Sequence, residues 1–285
     1  MAKLRIGRIW LVVAALVAVI ALAAAIFLPR LKWASWVHPA EAIHLIGPVD
    51  YVGTEGLSAY LIHTTDGAML IDATLNQNAD KVLRNIAARG VRPDEVKLIL
   101  LSHAHFDHAG GLAALKAATG AKLVTGARDR EAVESGIPPG ETSYGIIRFP
   151  AAPVDRGVAD GETVALGDVV LTAISTPGHT PGCTSWSMQV EEAGQSVNVL
   201  FLCSLEVAGN KLVGNQRYLE IAADFRASFD RLAEMEADVV LPFHPSRADL
   251  FGRAERGELV DPGVLPAYVA RADEDFERAL AMQQE

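Results

Sequence analysis

Apolar positions along this chain recur with two rhythms, every second residue and every 3.6 residues, and their succession predicts the elements. Ala59-Tyr60-Leu61-Ile62 and Ala68-Met69-Leu70-Ile71 predict two strands joined by a hairpin turn at Asp66-Gly67. Val82, Leu83, Ile86 and Ala87 repeat at helical spacing within 78–89, and Gly90 ends that helix. Val96 to Leu101 is apolar and β-prone, a buried strand. A helix over 110–119, a short strand at Lys122-Leu123-Val124 and a charged helix over 127–135 follow. From 136 to 160 Pro138, Pro139, Gly140, Gly145, Pro150 and Pro153 interrupt both rhythms. A loop of that length is either a flap over a site or an exposed connection. Strands resume at Thr163–Leu166 and Val169–Ile174, around Gly167-Asp168, and again at Thr184–Val190 and Val197–Leu202. Helix 222–235 gathers Phe225, Phe229 and Leu232 on one face, and Val239-Val240-Leu241 is a strand running into Pro242-Phe243-His244. A last helix, with Asp261 as its cap and Pro262 in its first turn, turns Tyr268, Val269, Ala272, Phe276 and Leu280 inward. Strands then helices, twice over, predict an α/β fold of two face-to-face sheets with helices outside, a four-layer αβ/βα sandwich in one domain.

The first thirty residues depart from this pattern. Lys3, Arg5 and Arg8 precede an uncharged run of 20 residues, Ile9 to Leu28, closed by Pro29 and Arg30. This is an export segment, residues 1–30. One reading is a cleaved signal peptide, with Ala23 and Ala25 offering a cleavage site. The other is an uncleaved inner-membrane anchor, long enough to span a bilayer and followed by interfacial Trp33 and Trp36. Either places the domain of residues 31–285 in the periplasm, where disulfides form. Half of the 285 residues are hydrophobic, enough for a substantial core, and the net charge of −10 gives a nucleic-acid partner no electrostatic help.

The chemistry concentrates in Ser102-His103-Ala104-His105-Phe106-Asp107-His108-Ala109-Gly110-Gly111. His103, His105, Asp107 and His108 are four metal donors whose spacing no helix or strand can bring to one face, so a tight loop at the carboxyl end of the 96–101 strand is expected. Imidazole and carboxylate together suit zinc, with iron or manganese as other candidates. His179, in Thr176-Pro177-Gly178-His179-Thr180-Pro181-Gly182, and His244 each follow a strand directly. Six donors suffice for two metals with positions open to water and substrate. The isolated His38, His44 and His63 read as structural. Cys183 and Cys203 lie in no Cys-x-x-Cys pattern, which argues against a structural zinc knuckle.

The run HAHFDHAGG, the histidine of TPGHTPGCTSW and the histidine after a late strand resemble the metallo-β-lactamase superfamily. The finer resemblance is to its third subclass, which uses no cysteine ligand. It extends from about Trp36 to the C-terminus and includes Tyr51-Val52-Gly53-Thr54-Glu55-Gly56-Leu57-Ser58 and Val207-Ala208-Gly209-Asn210. The resemblance implies two zinc ions, one on His103, His105 and His179 and one on Asp107, His108 and His244. Asp107 would also orient the nucleophile. Ser204 stands where relatives carry a bridging aspartate or a cysteine, and would donate a hydrogen bond to a substrate carboxylate. The implied activity is opening of a β-lactam ring by attack of a metal-bound hydroxide, conferring antibiotic resistance. The alternatives are a dimetal hydrolase of another ester, such as a lactone, with β-lactams as minor substrates, and a non-catalytic metal-dependent module. The implied partner is a small-molecule substrate, on a monomeric chain that also meets the inner membrane if the N-terminal segment is retained. The subclass carries a disulfide that Cys183 and Cys203 would form here, two reduced cysteines being the other reading. Asp72, at a strand end, either orients the metal loop or caps a turn. Glu206 departs from the pattern, which has a small hydroxyl residue there. A glutamate would repel a substrate carboxylate unless it turned away or paired with a base such as Lys211.

Overall fold

The computed structural model describes residues 33–285; the N-terminal apolar run, and with it the choice between signal and anchor, lies outside the described residues. Among the described residues no helix is long and apolar enough to cross a membrane. Two mixed sheets carry the fold. The first has seven strands in sequence order: β1 (Ile43–Ile46), β2 (Val49–Tyr51), β3 (Tyr60–Thr64), β4 (Gly67–Ile71), β5 (Val96–Leu100), β6 (Lys122–Gly126) and β7 (Arg156–Val158). The second has five, β8 (Thr163–Leu166), β9 (Val169–Ser175), β10 (Thr184–Glu192), β11 (Gln195–Leu202) and β12 (Val239–Pro242), in the order β12-β11-β10-β9-β8. The expected hairpins are present at β3–β4 and β8–β9, both antiparallel.

Alternation along each strand divides the apolar residues between layers. Tyr60, Ile62, Met69, Ile71 and Leu100 of the first sheet meet Leu171, Trp186, Met188, Val199, Phe201 and Leu241 of the second in a core between the sheets. Leu61, Leu70, Ile99 and Leu123 point the other way, against Val82, Ile86, Leu112 and Leu115 of helices Ala79–Ala88 and Leu112–Thr119. On the far side Leu200, Leu202 and Val240 pack on Phe225, Phe229 and Leu232 of helix Ile221–Ala233 and on Phe276 and Leu280 of helix Val264–Gln284. Three apolar interfaces separate four layers, so the predicted αβ/βα sandwich is the observed architecture.

Several boundaries differ from the sequence expectation. The last helix begins at Val264, after Pro262 and Gly263; Asp261 accepts the Gly263 N–H at 2.9 Å in a turn leading into it, so it does not cap the helix. Helix Leu250–Arg256 and strands β1 and β2 were not foreseen, being short and lacking a clean period. Trp33 and Trp36 do not stand apart from the domain. Trp36 lies 5.5 Å from the His244 ring, and Trp33 stacks on Phe106 at 5.8 Å.

The topology gathers strand ends. β4, β5 and β6 run parallel, as do β11 and β12, and β9 shares their direction because two antiparallel steps separate it from β11. The residues that follow β4, β5, β6, β9, β11 and β12 carry every candidate ligand and most of their supports.

Candidate metal centre

His103 and His105 lie in a bent stretch after β5, with His105 at φ −105° and ψ 155°, and Phe106–Ala109 then forms a single helical turn carrying Asp107 and His108. The motif is thus a bent loop running into one helical turn, which is how four donors that neither a strand nor a helix could converge come together. Gly110 and Gly111 allow the turn to sit against the 73–76 segment. A Cβ on Gly111 would lie 2.2 Å from the Ala73 carbonyl oxygen, and one on Gly110 2.8 Å from the Asn76 nitrogen.

His103, His105 and His179 offer nitrogens within 4.8 Å of one another, and His105 Nδ1 lies 2.9 Å from His179 Nε2. Asp107, His108 and His244 form a second triangle. His108 Nε2 is 3.3 Å from Asp107 Oδ2 and 3.4 Å from His244 Nε2, and His244 Nε2 is 3.5 Å from Asp107 Oδ2. Zinc bonds of 2.0–2.1 Å in a tetrahedron imply donors about 3.3 Å apart. The buried Nε2 of His103 has no hydrogen-bond partner among the described residues, a cost that a neutral imidazole incurs unless something else takes up its polarity. These two clusters are candidate ligand sets, consistent with a dinuclear zinc site.

Neighbouring groups fix which nitrogen faces inward. The His179 Nδ1–H donates to the Glu206 carbonyl at 2.6 Å and that of His244 to the Gly56 carbonyl at 3.2 Å, so each leaves Nε2 free. Asp72 accepts from Ser102 N (2.8 Å), from the Ser102 hydroxyl (2.7 Å) and from His108 Nδ1 (2.8 Å). The Ser102 hydroxyl has spent its proton on Asp72, so toward His103 Nδ1, 3.0 Å away, it accepts, and His103 Nε2 keeps its lone pair. Asp72 therefore orients the metal loop. It does so at φ +65°, a conformation few non-glycine residues hold.

Burial, then the charges of neighbouring imidazoles, pushes His103 well below its ordinary pKa, and burial with His179 beside it takes His105 down to about 3. Burial likewise lowers His179 and His244 to about 4 each. Four of the five imidazoles thus keep lone pairs available for metal through neutral pH. Burial opposes the charged form of His108, but the carboxylates of Asp107 and Asp72 outweigh it and raise its pKa to about 10. Burial would raise Asp107 too, yet His108 and His244 hold its carboxyl well below the usual range.

The structure also places residues whose roles the sequence left open or hid. Asp129 is fully buried after β6 and accepts three bonds: from Ala104 N at 2.8 Å, the Thr180 hydroxyl at 2.7 Å and Gly182 N at 2.7 Å. It fastens the His103–His105 loop to the His179 loop, although in sequence it sits in the charged 127–135 stretch. The one hint was its position just past a strand end. Ser58 and Tyr60 both donate to the Pro242 carbonyl, the former at 2.7 Å, and so set the β12 end that carries His244. Ser204 stands just beyond β11, and its hydroxyl accepts from Glu206 N at 3.3 Å, which leaves its own proton free. Glu206 does not pair with Lys211. Lys211 engages Glu141 (3.2 Å), while Arg247, on the turn after His244, takes the Glu206 carboxylate (Nη2–Oε2 2.6 Å), because that turn brings its guanidinium to Glu206 while the loop carrying the lysine turns toward Glu141. His38 meets Glu55, and His44 and His63 meet the buried Asp50, all outside the metal centre.

Residues 138–147 close one side. They pack beside His105 and Phe106 and are pinned at Ser143 N to the Gly209 carbonyl (2.8 Å), with Lys211 N bonding the Glu141 carbonyl (2.9 Å). Cys183 and Cys203 are disulfide-bonded, Cα to Cα 6.0 Å, tying the His179 loop to the strand end that bears Ser204.

Residues 52–244 match the family model described as the metallo-beta-lactamase superfamily. Among solved structures, a subclass B3 metallo-β-lactamase of Bradyrhizobium japonicum is 40% identical, with a TM-score of 0.84 over 88% of this chain and 97% of that one. A metallo-β-lactamase of Legionella gormanii is 33% identical, with a TM-score of 0.81 over 87% of this chain and 98% of that one. Among curated proteins, a hydroxyacylglutathione hydrolase of Bradyrhizobium sp. is 31% identical over 144 residues, 50% of this chain and 47% of that protein. Another, of Cereibacter sphaeroides, is 33% identical over 139 residues, 47% of this chain and 46% of that protein. The chain spans about half the length of these curated relatives. Because the match takes in more than half of the chain, from the end of β2 through the metal loop to the last candidate ligand, His244, the chain belongs to the metallo-β-lactamase superfamily.

Proposed function

We propose that this protein is a zinc-dependent β-lactam hydrolase of the subclass that uses no cysteine ligand, a periplasmic enzyme of antibiotic resistance. The observation that carries this reading is the second donor triangle, Asp107, His108 and His244. It is complete without a cysteine, both cysteines are tied in a disulfide, and a serine, Ser204, follows β11 where an aspartate would bridge the metals in other hydrolases. Near-complete coverage of solved metallo-β-lactamases supports the same reading. A zinc pair held there would supply Lewis acidity and would lower the pKa of water from 15.7 to about 7.

The chain's own residues do the rest. Asp107 holds its charge at neutral pH and can accept a hydrogen bond from an attacking water. Ser204 can donate its free proton to a substrate carboxylate. Phe106, Trp36 and the 138–147 segment exclude solvent around a bound ring. The disulfide fits an oxidising compartment, and residues 31–285 form the catalytic domain.

A dimetal hydrolase of another ester is the second reading, favoured by the hydroxyacylglutathione hydrolases among the curated relatives. Turnover of a penicillin, a cephalosporin, a carbapenem and an acyl-homoserine lactone by the zinc-loaded protein, with and without chelator, separates the two. Carbapenem hydrolysis abolished by EDTA and restored by zinc is expected. Lactone hydrolysis with no β-lactam turnover would establish the second reading in its place.

A further inference from the structure

The C-terminal helix ends on a polar residue where its stripe calls for an apolar one. Phe276, Leu280 and Gln283 follow one another at steps of four and three, so they share one face, and Phe276 and Leu280 pack in the core beneath the second sheet. The stripe carries Gln283 onto the 209–212 segment. Its Oε1 accepts the Leu212 N–H at 2.7 Å, and its Nε2 donates to the Asn210 carbonyl at 3.0 Å. A residue of a neighbouring parallel strand bonds a chain in this way, taking the N–H of one residue and the carbonyl two places before it. The amide thus stands in for a strand on one edge of the segment. The other edge pairs with the 138–147 segment: Ser143 N donates to the Gly209 carbonyl at 2.8 Å and Lys211 N to the Glu141 carbonyl at 2.9 Å, with Thr142 opposite Asn210. Gly209, at φ +78°, leaves room for the Tyr144 ring, which a Cβ there would approach to 3.1 Å. The buried Asn210 side chain donates to the His179 carbonyl at 3.0 Å. One short segment therefore joins the helix tip, the flap beside His105 and Phe106, and the loop that carries His179.

We propose that Gln283 is a positioning residue for the hydrolytic site: its side-chain amide holds 209–212 as a neighbouring strand would, and through that segment it sets the 138–147 flap beside the metal centre. The assignment rests on the hydrolase reading above for its kinetic consequence alone. Without the amide, the Asn210 carbonyl and the Leu212 N–H turn to water, and the segment keeps pairing only on its flap side. An isolated pair of strands is marginal in water, so the segment and the flap loosen together while the two sheets stay packed.

The test uses the full zinc-loaded chain carrying Gln283→Ala or Gln283→Met, the second keeping the bulk of the side chain while losing both hydrogen bonds. Hydrogen exchange should quicken about tenfold in both variants at the Ser143 and Lys211 amides, neither of which bonds Gln283, and stay unchanged in β5. Trypsin should cut about tenfold faster after the exposed Arg148 of the flap, and no faster after Arg84 in helix Ala79–Ala88, where cleavage reports opening of the domain. KM for whichever substrate is turned over, β-lactam or ester, should rise about three- to tenfold at unchanged kcat, the mark of lost binding. A merely structural role would lower apparent kcat at constant KM, because fewer molecules would be folded. Unchanged exchange at Ser143 and Lys211, cleavage rising equally after Arg84 and Arg148, or a fall in kcat at constant KM would each overturn the proposal. Exchange and cleavage need no substrate, so the expected changes there without β-lactam turnover would remove the β-lactamase reading and leave Gln283 in this role.

Discussion

At the scale of single residues, the metal centre depends on side chains that never touch metal. Asp72 fixes His103 and His108 through Ser102 and its own carboxylate, and Asp129 joins the two loops that carry His105 and His179. Both sit in full burial, which raises their pKa values, while hydrogen bonds from their partners draw them back. Supports of this kind commonly account for 10–100-fold in metal affinity. Asp129→Ala is therefore expected to weaken zinc binding at the three-histidine set by about 10–100-fold, read by competition with a chromogenic chelator. Affinity equal to that of the unsubstituted protein would show that the loops hold their geometry without it. The same logic explains what the sequence revealed here. Donor-rich motifs such as His103 to His108 announce themselves, whereas a lone Asp129 resembles any exposed acid until its three donors are seen.

At the scale of elements, one polar clasp fixes the outer layer to the first sheet. Asp50 of β2, 1% exposed, receives Arg89 from the end of helix Ala79–Ala88 (2.7 and 3.0 Å) and His63 of β3 (2.7 Å). Burial by itself would raise the Asp50 carboxyl, but the bonds from Arg89 and His63, and their charges, outweigh it and hold the pKa below its ordinary value. A carboxyl with a depressed folded-state pKa contributes stability that is present above the unfolded pKa of about 3.9 and is lost as pH falls through the folded value. Asp50→Asn is expected to cost about 1.5–3 kcal/mol at pH 7, the range for hydrogen bonds to charged groups, and less at pH 3. Urea midpoints at the two pH values measure this, and an equal deficit at both would rule out the ionised clasp. Neither β1 nor β2 was legible in the sequence, because the polar His44 and Asp50 interrupt their short apolar stretches, whereas the equally short β8 and β12 are marked by a turn dipeptide or an unbroken apolar run. The helix 79–88 was legible, because its apolar stripe repeats over nearly three turns.

At the scale of the whole molecule, the site is a joint between halves. The first sheet supplies His103, His105, Asp107 and His108, and the second supplies His179 and His244, so metal binding and the packing of the two sheets favour the same arrangement. The Cys183–Cys203 bridge reinforces the second half, 20 residues apart in sequence. Replacing both cysteines by serine is expected to lower stability by about 3 kcal/mol, the chain-entropy value for a loop of that size, measured by urea unfolding of the zinc-loaded protein. An unchanged midpoint would mean that residual structure already restrains this loop in the unfolded chain.

The sequence alone determined the layered architecture, since period-2 and period-3.6 runs dictate which faces are apolar, and apolar faces must be covered. It also determined the donor types, because His and Asp clustered in six residues have few other uses. What only the tertiary structure decided is which distant residues meet. The pairing of Glu206 with Arg247 instead of Lys211, the contact of Trp36 with His244 and the burial of Asp129 all depend on where chain segments far apart in sequence are brought by sheet order. Local periodicity fixes each residue's face, but long-range contacts depend on strand order and direction, which no short stretch of sequence encodes.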